Sequence, residues 1–299
     1  MVAHPRGHVM VCPVGSQISY DASMSGTLYL VGTPIGNLED ITLRAIATLK
    51  SVDAIACEDT RETSKLLNHL GVDRPTTSYH EHNRRAAGPR LIARMLAGES
   101  IALVSDAGMP GISDPGEELV AEAIEAGVPV VPIPGPTAFV AALVASGLPA
   151  GRFTFEGFLA RDPKLRRRRL RELVHETRTM IFYEGPHRLT DTLTDMRAAF
   201  GDDRPAAVAR ELTKRFEEHR RGTLAELAAH FEATEPRGEI VLMVGGGEAA
   251  AVSSDNWREA LKAALDAGTR ASDAAKAIAK SHGVSRQEAY DAAVAMREG

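Results

Sequence analysis

Three loops rich in glycine and proline contain the residue types in this chain best suited to hold a small ligand. They span residues 32–37, 105–111 and 132–137, and each follows a short apolar run. Glycine lets the backbone approach a ligand closely, and proline fixes the shape of a loop in advance. Loops at the strand ends of an open α/β sheet converge on one crevice. The sequence therefore predicts a preformed pocket bound mainly by backbone groups.

Acidic side chains stand at the same strand ends. Asp106 directly follows the apolar run 101–104, and Glu58 and Asp59 follow the run 53–57. A carboxylate there can accept hydrogen bonds from ribose hydroxyls or an ammonium group, or it can stabilise its own loop as an Asx turn. Asp59 or Thr60 can equally cap the helix that follows, and Asp114 is expected to cap the helix that Pro115 opens.

Two further polar clusters extend this pattern. His80 and His82 flank a carboxylate, but no third and fourth ligand lies nearby, so substrate contacts or a solvated loop are favoured over a metal. Glu184 to Arg188 and Arg210 to Lys214 each place charges of both signs after a predicted strand. Mixed charges at strand ends favour a site in a cleft.

The chain has neither a GxGxxG nor a GxxxxGK[ST] sequence, so the glycine-rich phosphate cradle of dinucleotide and nucleoside triphosphate sites is missing. Residues 164–171 pack six positive charges into eight positions of a chain whose net charge is −5. A charge run is usually a solvated helix face, but a block this dense in an acidic protein favours contacts with phosphates.

The overall composition indicates a globular, cytoplasmic protein. The 299 residues are 44% apolar and 25% charged, and about two domains are expected. Cys12 and Cys57 form no metal or disulfide pattern, which fits a reducing compartment. The uncharged stretch 126–151 contains four prolines between 129 and 136, so it cannot be one membrane-spanning helix.

Strands and helices alternate along the chain, which predicts βαβ units and a largely parallel first sheet. The first domain is predicted at 26–148, with strands at 27–31, 53–57, 101–104 and 128–133 and helices at 38–50, 60–70, 84–97, 115–126 and 136–146. The second is predicted at 152–247, with a mixed sheet of strands 152–158, 179–183, 206–211, 217–221 and 239–244 and helices 164–175, 187–200 and 224–231. The polar segment 217–221 could equally be a loop.

Residues 1–25 read as a loose extension in which Met24 could be the start, and residues 255–299 as a helical tail. The tail is expected to hold three short helices, with Ser272 and Ser285 as N-caps. Such an arrangement is typical of a helix-turn-helix, although a plain helical cap fits as well.

Six sequence motifs, in order, resemble one family. They are VGTPIGNL at 31–38, CEDTR at 57–61, SDAGMPGISDPG at 105–116, PIPGP at 132–136, YEGPHR at 183–188 and RELTK at 210–214. They resemble the ribosomal RNA small-subunit methyltransferase I family of the tetrapyrrole-methylase superfamily. The resemblance implies two α/β domains of tetrapyrrole-methylase type with a cofactor cleft between them. It also implies a helix-turn-helix-like tail, S-adenosylmethionine as cofactor and a homodimer that methylates the 2′-hydroxyl of cytidine 1402 in 16S rRNA.

The resemblance also implies roles for individual residues. The expected cofactor contacts are Pro34, Asp106, Ala107, Gly108, Met109, Pro134, Gly135, Thr137 and Tyr183. The expected RNA contacts are Arg61, Lys164, Arg166, Arg167, Arg168, Arg169, Arg188 and Arg210. A base would help to deprotonate a ribose hydroxyl, and the candidates are Glu58, Asp59, His80, Glu184 and Lys214. A lysine base would need a lowered pKa.

Two rival interpretations remain open. One is a sibling enzyme that methylates a tetrapyrrole or another small molecule, against which the arginine block and the tail speak. The other is a regulator that binds nucleic acid through the helical tail. Acids in the tail, such as Asp266 and Asp273, argue against strong binding to duplex DNA.

Overall fold

A computed structural model describes residues 25–247, 256–282 and 284–298. The predictions for residues 1–24, including Met24 as the start, lie outside the described residues. The chain forms two compact units, one ending at Thr137 and the other beginning at Ala138. The predicted boundary near Gly147 falls later, after the first helix of the second unit.

The first unit is built on a parallel five-stranded sheet. Its strands are β1 (Leu28–Val31), β2 (Ala54–Cys57), β3 (Thr76–Ser78), β4 (Ile101–Val104) and β5 (Val130–Ile133), in the order β3-β2-β4-β1-β5. Its helices are α1 (Leu43–Ser51), α2 (Thr60–Leu70), α3 (Arg84–Leu96) and α4 (Glu117–Glu125). All four strand pairings are parallel, as predicted. Every residue of β2 and β4 is buried, because a parallel sheet carries helices on its faces.

Local capping signals explain where α1 and α2 begin and where α2 ends. The Asp59 side chain accepts a hydrogen bond from the Arg61 amide at the start of α2, and Gly71 ends the helix in the left-handed region with φ 61°. The single predicted helix 38–50 is wrong. A short 3₁₀ turn (Leu38–Asp40) ends at the extended Ile41, and Thr42 then caps a separate helix.

The second unit holds a mixed sheet, as predicted. Its strands are β6 (Phe153–Phe158), β7 (Thr179–Glu184), β8 (Pro205–Arg210), β9 (Glu218–Thr223) and β10 (Ile240–Val244), in the order β6-β7-β10-β8-β9. Its helices are α5 (Ala138–Ser146), α6 (Pro163–Glu172), α7 (Leu189–Phe200) and α8 (Leu224–Ala233). Only β6 and β7 pair in parallel. The polar segment that could have been a loop is strand β9, which pairs along its whole length with β8.

Three helices make up the described part of the tail. They are α9 (Asn256–Asp266), α10 (Ala271–His282) and α11 (Arg286–Glu298), and they share a core around the buried Trp257. Ser285 accepts from the Glu288 amide at 3.0 Å, which confirms it as a cap. Ser272 is not a cap, because α10 already begins at Ala271. No helix among the described residues is long and apolar enough to cross a membrane.

Candidate functional site

The three glycine- and proline-rich loops meet at one edge of the first sheet. Strands β4, β1 and β5 are parallel neighbours, so the loops that follow them leave from the same side. Thr33 and Gly108 exchange two backbone hydrogen bonds of 2.9 and 3.1 Å, and the Gly32 amide donates to the Ile133 carbonyl at 3.2 Å. The predicted convergence of these loops is therefore present in the first unit.

Glycine is required where two of the loops touch. A Cβ atom on Gly32 would lie 2.7 Å from the Cα of Gly135, and one on Gly135 would lie 2.8 Å from the Cα of Gly32. Gly108 adds a positive φ of 90°, which glycine adopts at no steric cost. The loops are thus packed backbone against backbone, and their shape is fixed before any ligand arrives.

Asp106 stands at this junction with its carboxylate outward. Its Oδ1 accepts a hydrogen bond from the Asp59 amide at 3.2 Å, which ties the loop after β4 to the start of α2. Burial raises the pKa of Asp106, and the Asp59 amide opposes that shift. Asp106, Ala107 and Pro134 are exposed, whereas Thr33 and Ser105 beneath them are buried. Exposed groups on a rigid base are placed to contact a ligand.

An acidic cavity of about 620 Å³ opens beside the loop after β4, within the first unit. Its carboxylates come from the ends of β2 and β3 and from the start of α4: Glu58, Glu81, Asp114, Glu117 and Glu118. Tyr79 and Arg84 also line it, and Arg84 pairs with Glu81 at 2.9 Å and with Glu118 at 3.1 Å. The cavity suits an uncharged hydrogen-bond donor better than an exposed phosphate.

The prediction that Asp114 caps a helix is wrong. Helix α4 begins at Glu117 with Gly116 at its cap position, so Asp114 lies earlier, in the wall of the cavity. Burial, followed by the charge of Glu58, raises the pKa of Asp114 to about 6, against a hydrogen bond from Ser105. Sequence reasoning missed this residue, because Asp-Pro-Gly is also a common helix start and burial is invisible in the sequence.

Of the five candidate bases, Glu58 lines the cavity, and His80 lies in the chain between two lining residues, Tyr79 and Glu81. Burial and the charge of Asp106 raise the pKa of Glu58, while His80 opposes the shift. The Nδ1 atom of His80 is buried and makes no hydrogen bond to any described residue. Asp59, by contrast, is fixed as a helix cap, and its hydrogen bonds with Arg61 hold its pKa at about 2.

The two candidate bases in the second unit are engaged in ion pairs. Buried Glu184 accepts from the Thr192 hydroxyl at 2.7 Å and from the Gly185 amide at 2.8 Å, and it pairs with Arg188. Burial lowers the pKa of Lys214, but the carboxylates of Glu211 and Glu239 outweigh that effect and the net shift is upward. Both side chains stay candidate bases, and the structure holds each of them in ion pairs within the second unit.

Tyr183 lies in an aromatic cluster on β6, β7 and α5. Its ring is 5.0 Å from that of Phe155 and 5.5 Å from that of Phe158, and Phe155 stacks on Phe139 at 4.6 Å. These contacts hold the Tyr183 ring in place at the end of β7.

The arginine block divides into buried and exposed members. Arg166 is buried, and its guanidinium pairs with the buried Asp195 of α7 at 2.7 Å. Arg167 shares the same carboxylate, and Arg169 pairs with Glu156 and Glu172. Lys164, Arg168 and Arg171 are exposed and have no ion-pair partner among the described residues.

The other predicted RNA contacts are also paired. Arg61 pairs with Asp59, Arg188 donates to the Leu159 carbonyl at 2.9 Å, and Arg210 pairs with Glu218. Of these three, Arg61 has the most exposed side chain, at 84%. The described residues contain no group of three His, Cys, Asp or Glu side chains arranged to hold a metal ion.

This fold, with loops converging at the edge of the first sheet, defines a class of methylases. The family described as Tetrapyrrole (Corrin/Porphyrin) Methylases matches residues 27–228, and the chain belongs to it. The crystal structure of uroporphyrin-III-C-methyltransferase from Thermus thermophilus superposes with a TM-score of 0.55 at 25% identity, over 74% of this chain and 94% of that one. The same enzyme in complex with S-adenosyl homocysteine matches with a TM-score of 0.53 at 23% identity.

Within that family, the chain belongs with the proteins named ribosomal RNA small subunit methyltransferase I. It is 48% identical to the Synechocystis sp. protein over 268 residues, covering 89% of this chain and 96% of that protein. It is 53% identical to the Mesorhizobium japonicum protein over 253 residues, covering 83% and 86%. The family resemblance carried by the six motifs is confirmed.

Proposed function

We propose that this chain transfers a methyl group from S-adenosylmethionine to the 2′-hydroxyl of a cytidine in the small-subunit ribosomal RNA, at position 1402 of 16S rRNA. The observation that carries the proposal is the junction of the loops after β1, β4 and β5 at one sheet edge. The names of the close relatives support ribosomal RNA as the substrate.

The residues at the junction fit such a donor. The Asp106 carboxylate can accept from the two ribose hydroxyls of an adenosyl group, because the Asp59 amide uses Oδ1 and leaves Oδ2 available. The backbone of Ala107 and Met109 and of Pro134 to Thr137 supplies hydrogen-bonding groups along a surface that the Gly108–Thr33 hydrogen bonds hold in place. Bound there, S-adenosylmethionine supplies an electrophilic methyl group. Tyr183 remains a proposed further contact.

Methyl transfer to a hydroxyl depends on position and on removal of a proton. An in-line displacement needs the hydroxyl oxygen directly behind the methyl carbon, so holding the ribose provides much of the acceleration. We assign proton removal to Asp114 or Glu58, because both face the cavity and their raised pKa values bring them closer to neutral pH. Asp114 is the stronger candidate because its pKa is about 6.

The RNA backbone is proposed to follow exposed cations. Lys164, Arg168 and Arg171 on α6 and Arg61 on α2 present charge to solvent, whereas Arg166 is held inside the second unit. Counterion release from the phosphates would supply affinity that falls with salt. A homodimer in the cytoplasm completes the proposal.

The test is transfer of labelled methyl from S-adenosylmethionine to purified small ribosomal subunits, followed by mapping of the modified nucleotide. We expect label on one cytidine ribose with the wild-type chain, and loss of donor binding by calorimetry in Asp106→Ala. Arg90→Ala, on the exposed face of α3, is the matched control. Transfer to a porphyrin-like ring with none to subunits would identify a small-molecule methylase instead.

A further inference from the structure

The loop between β8 and β9, residues 211–217, exposes an aromatic ring at a fixed position. Phe216 is 67% exposed, although it is a large apolar side chain. The guanidinium carbon of Arg215 lies 5.6 Å from the centre of its ring, which is cation–π distance. Neither residue belongs to the loops at 32–37, 105–111 and 132–137 or to the acidic cavity described above.

The loop is braced by its own backbone and side chains. The Glu211 amide donates to the Glu239 carbonyl at 2.9 Å, and the Lys214 amide donates to the Glu211 carbonyl at 3.0 Å. The Thr213 amide donates to the Glu217 carboxylate at 2.6 Å, and Leu212 is buried beneath the loop. The Phe216 ring is therefore presented by a rigid turn.

Two residues of the loop have a strained backbone conformation. Glu211 and Thr213 are non-glycine residues in the left-handed region, with φ of 51° and 65°. Such conformations persist only where the surrounding structure enforces them, and they concentrate at functional sites. The strain is concentrated in the turn that places Arg215 and Phe216 outward.

The charged groups near the Phe216 ring favour a nucleic acid as its partner. The carboxylates of Glu211, Glu217 and Glu218 are each held by a cation or an amide of the loop or of the end of β8. Arg215 pairs with no carboxylate among the described residues, whereas Arg220, half exposed on β9, pairs with Glu218. An exposed ring beside an unneutralised guanidinium suits an unpaired nucleobase with its phosphate, because every base has a face that stacks.

We propose that Arg215 and Phe216 form a stacking contact for an unpaired base of the RNA substrate. The proposal rests on the proposed function for the identity of the RNA. It assigns Phe216 to substrate binding and gives it no part in methyl transfer or donor binding.

The first experiment measures methyl transfer to small subunits by Phe216→Ala, Phe216→Trp and Leu43→Ala. Leu43 is 87% exposed in the first unit and controls for loss of an exposed apolar side chain. We expect Phe216→Ala to raise KM for subunits roughly 5- to 100-fold with kcat and donor affinity unchanged, and Phe216→Trp to stay within a few-fold of wild type. If Phe216→Ala behaves like Leu43→Ala, the proposal is wrong.

The second experiment separates this proposal from the proposed function. A single-stranded RNA containing 2-aminopurine loses fluorescence when that base stacks on a ring, whether or not a methyl group is transferred. We expect quenching by the wild-type chain and by Arg90→Ala, and its loss in Phe216→Ala. Quenching that depends on Phe216 in a chain inactive on subunits would reject the function and keep the stacking contact. Unchanged quenching in Phe216→Ala, or a changed sedimentation mass instead, would show that the loop does not stack RNA bases.

Discussion

The buried carboxyl group of Asp114 lowers the stability of the fold when it is ionised, and it is also our proposed base. Its pKa is raised to about 6 by burial and by the charges of Glu58 and Asp106, so the folded chain keeps this proton up to a higher pH than the unfolded chain does. Its contribution to stability is full below the unfolded pKa, about 4, and is lost as the pH rises through 6. At neutral pH the ionised group therefore destabilises the first unit, and this is the form that can accept a proton.

Asp114→Asn tests both roles. We expect its free energy of unfolding, relative to wild type, to rise by about 1 kcal/mol between pH 4 and pH 7, a value reduced because the group is partly exposed. If Asp114 is the base, kcat falls roughly 10²- to 10⁴-fold in the same variant. Glu117→Gln, which removes another carboxylate of the cavity, is the control. Urea titrations at both pH values and initial rates give the answer, and an unchanged kcat would assign proton removal to Glu58 instead.

Helix α6 contains charged residues in two different environments. Arg166 and Arg168 are two residues apart, but the first is buried against Asp195 and the second is exposed. Removing Arg166 leaves the buried Asp195 carboxylate with Arg167 as its remaining partner, so Arg166→Ala should lower the free energy of unfolding by roughly 1–3 kcal/mol, less than the loss expected for a buried charge with no partner. Arg168→Ala should change stability by about 0.5 kcal/mol or less and reduce the salt dependence of RNA binding by one phosphate contact. Urea melts and RNA binding at several salt concentrations distinguish the two variants, and equal stability losses would contradict the assignment.

Elements set by local signals were predictable, and those set by distant contacts were not. Helix α2 was predicted with its observed bounds because Asp59 and Gly71 mark its ends in the sequence. Strand β3 was missed because its three residues, Thr76–Ser78, are polar and become a strand only by pairing with β2. The convergence of loops 32–37, 105–111 and 132–137 followed from a strand–loop pattern. The roles of Arg166 and Asp114 did not, because each depends on partners far along the chain or on burial.

At the scale of the whole molecule, donor binding should stabilise the native chain unevenly. A ligand that binds only the folded state adds about 2.7 kcal/mol at a concentration of one hundred times its Kd. We expect S-adenosyl homocysteine to slow amide exchange in loops 32–37, 105–111 and 132–137, because their backbone groups are the proposed contacts. If Tyr183 is also a contact, as the family resemblance implies, the end of β7 will be protected too. Asp106→Ala should abolish these changes, whereas Arg168→Ala should retain them. Slower amide exchange confined to α6 or to the tail, with the three loops unchanged, would place the donor elsewhere and remove the basis of the proposed function.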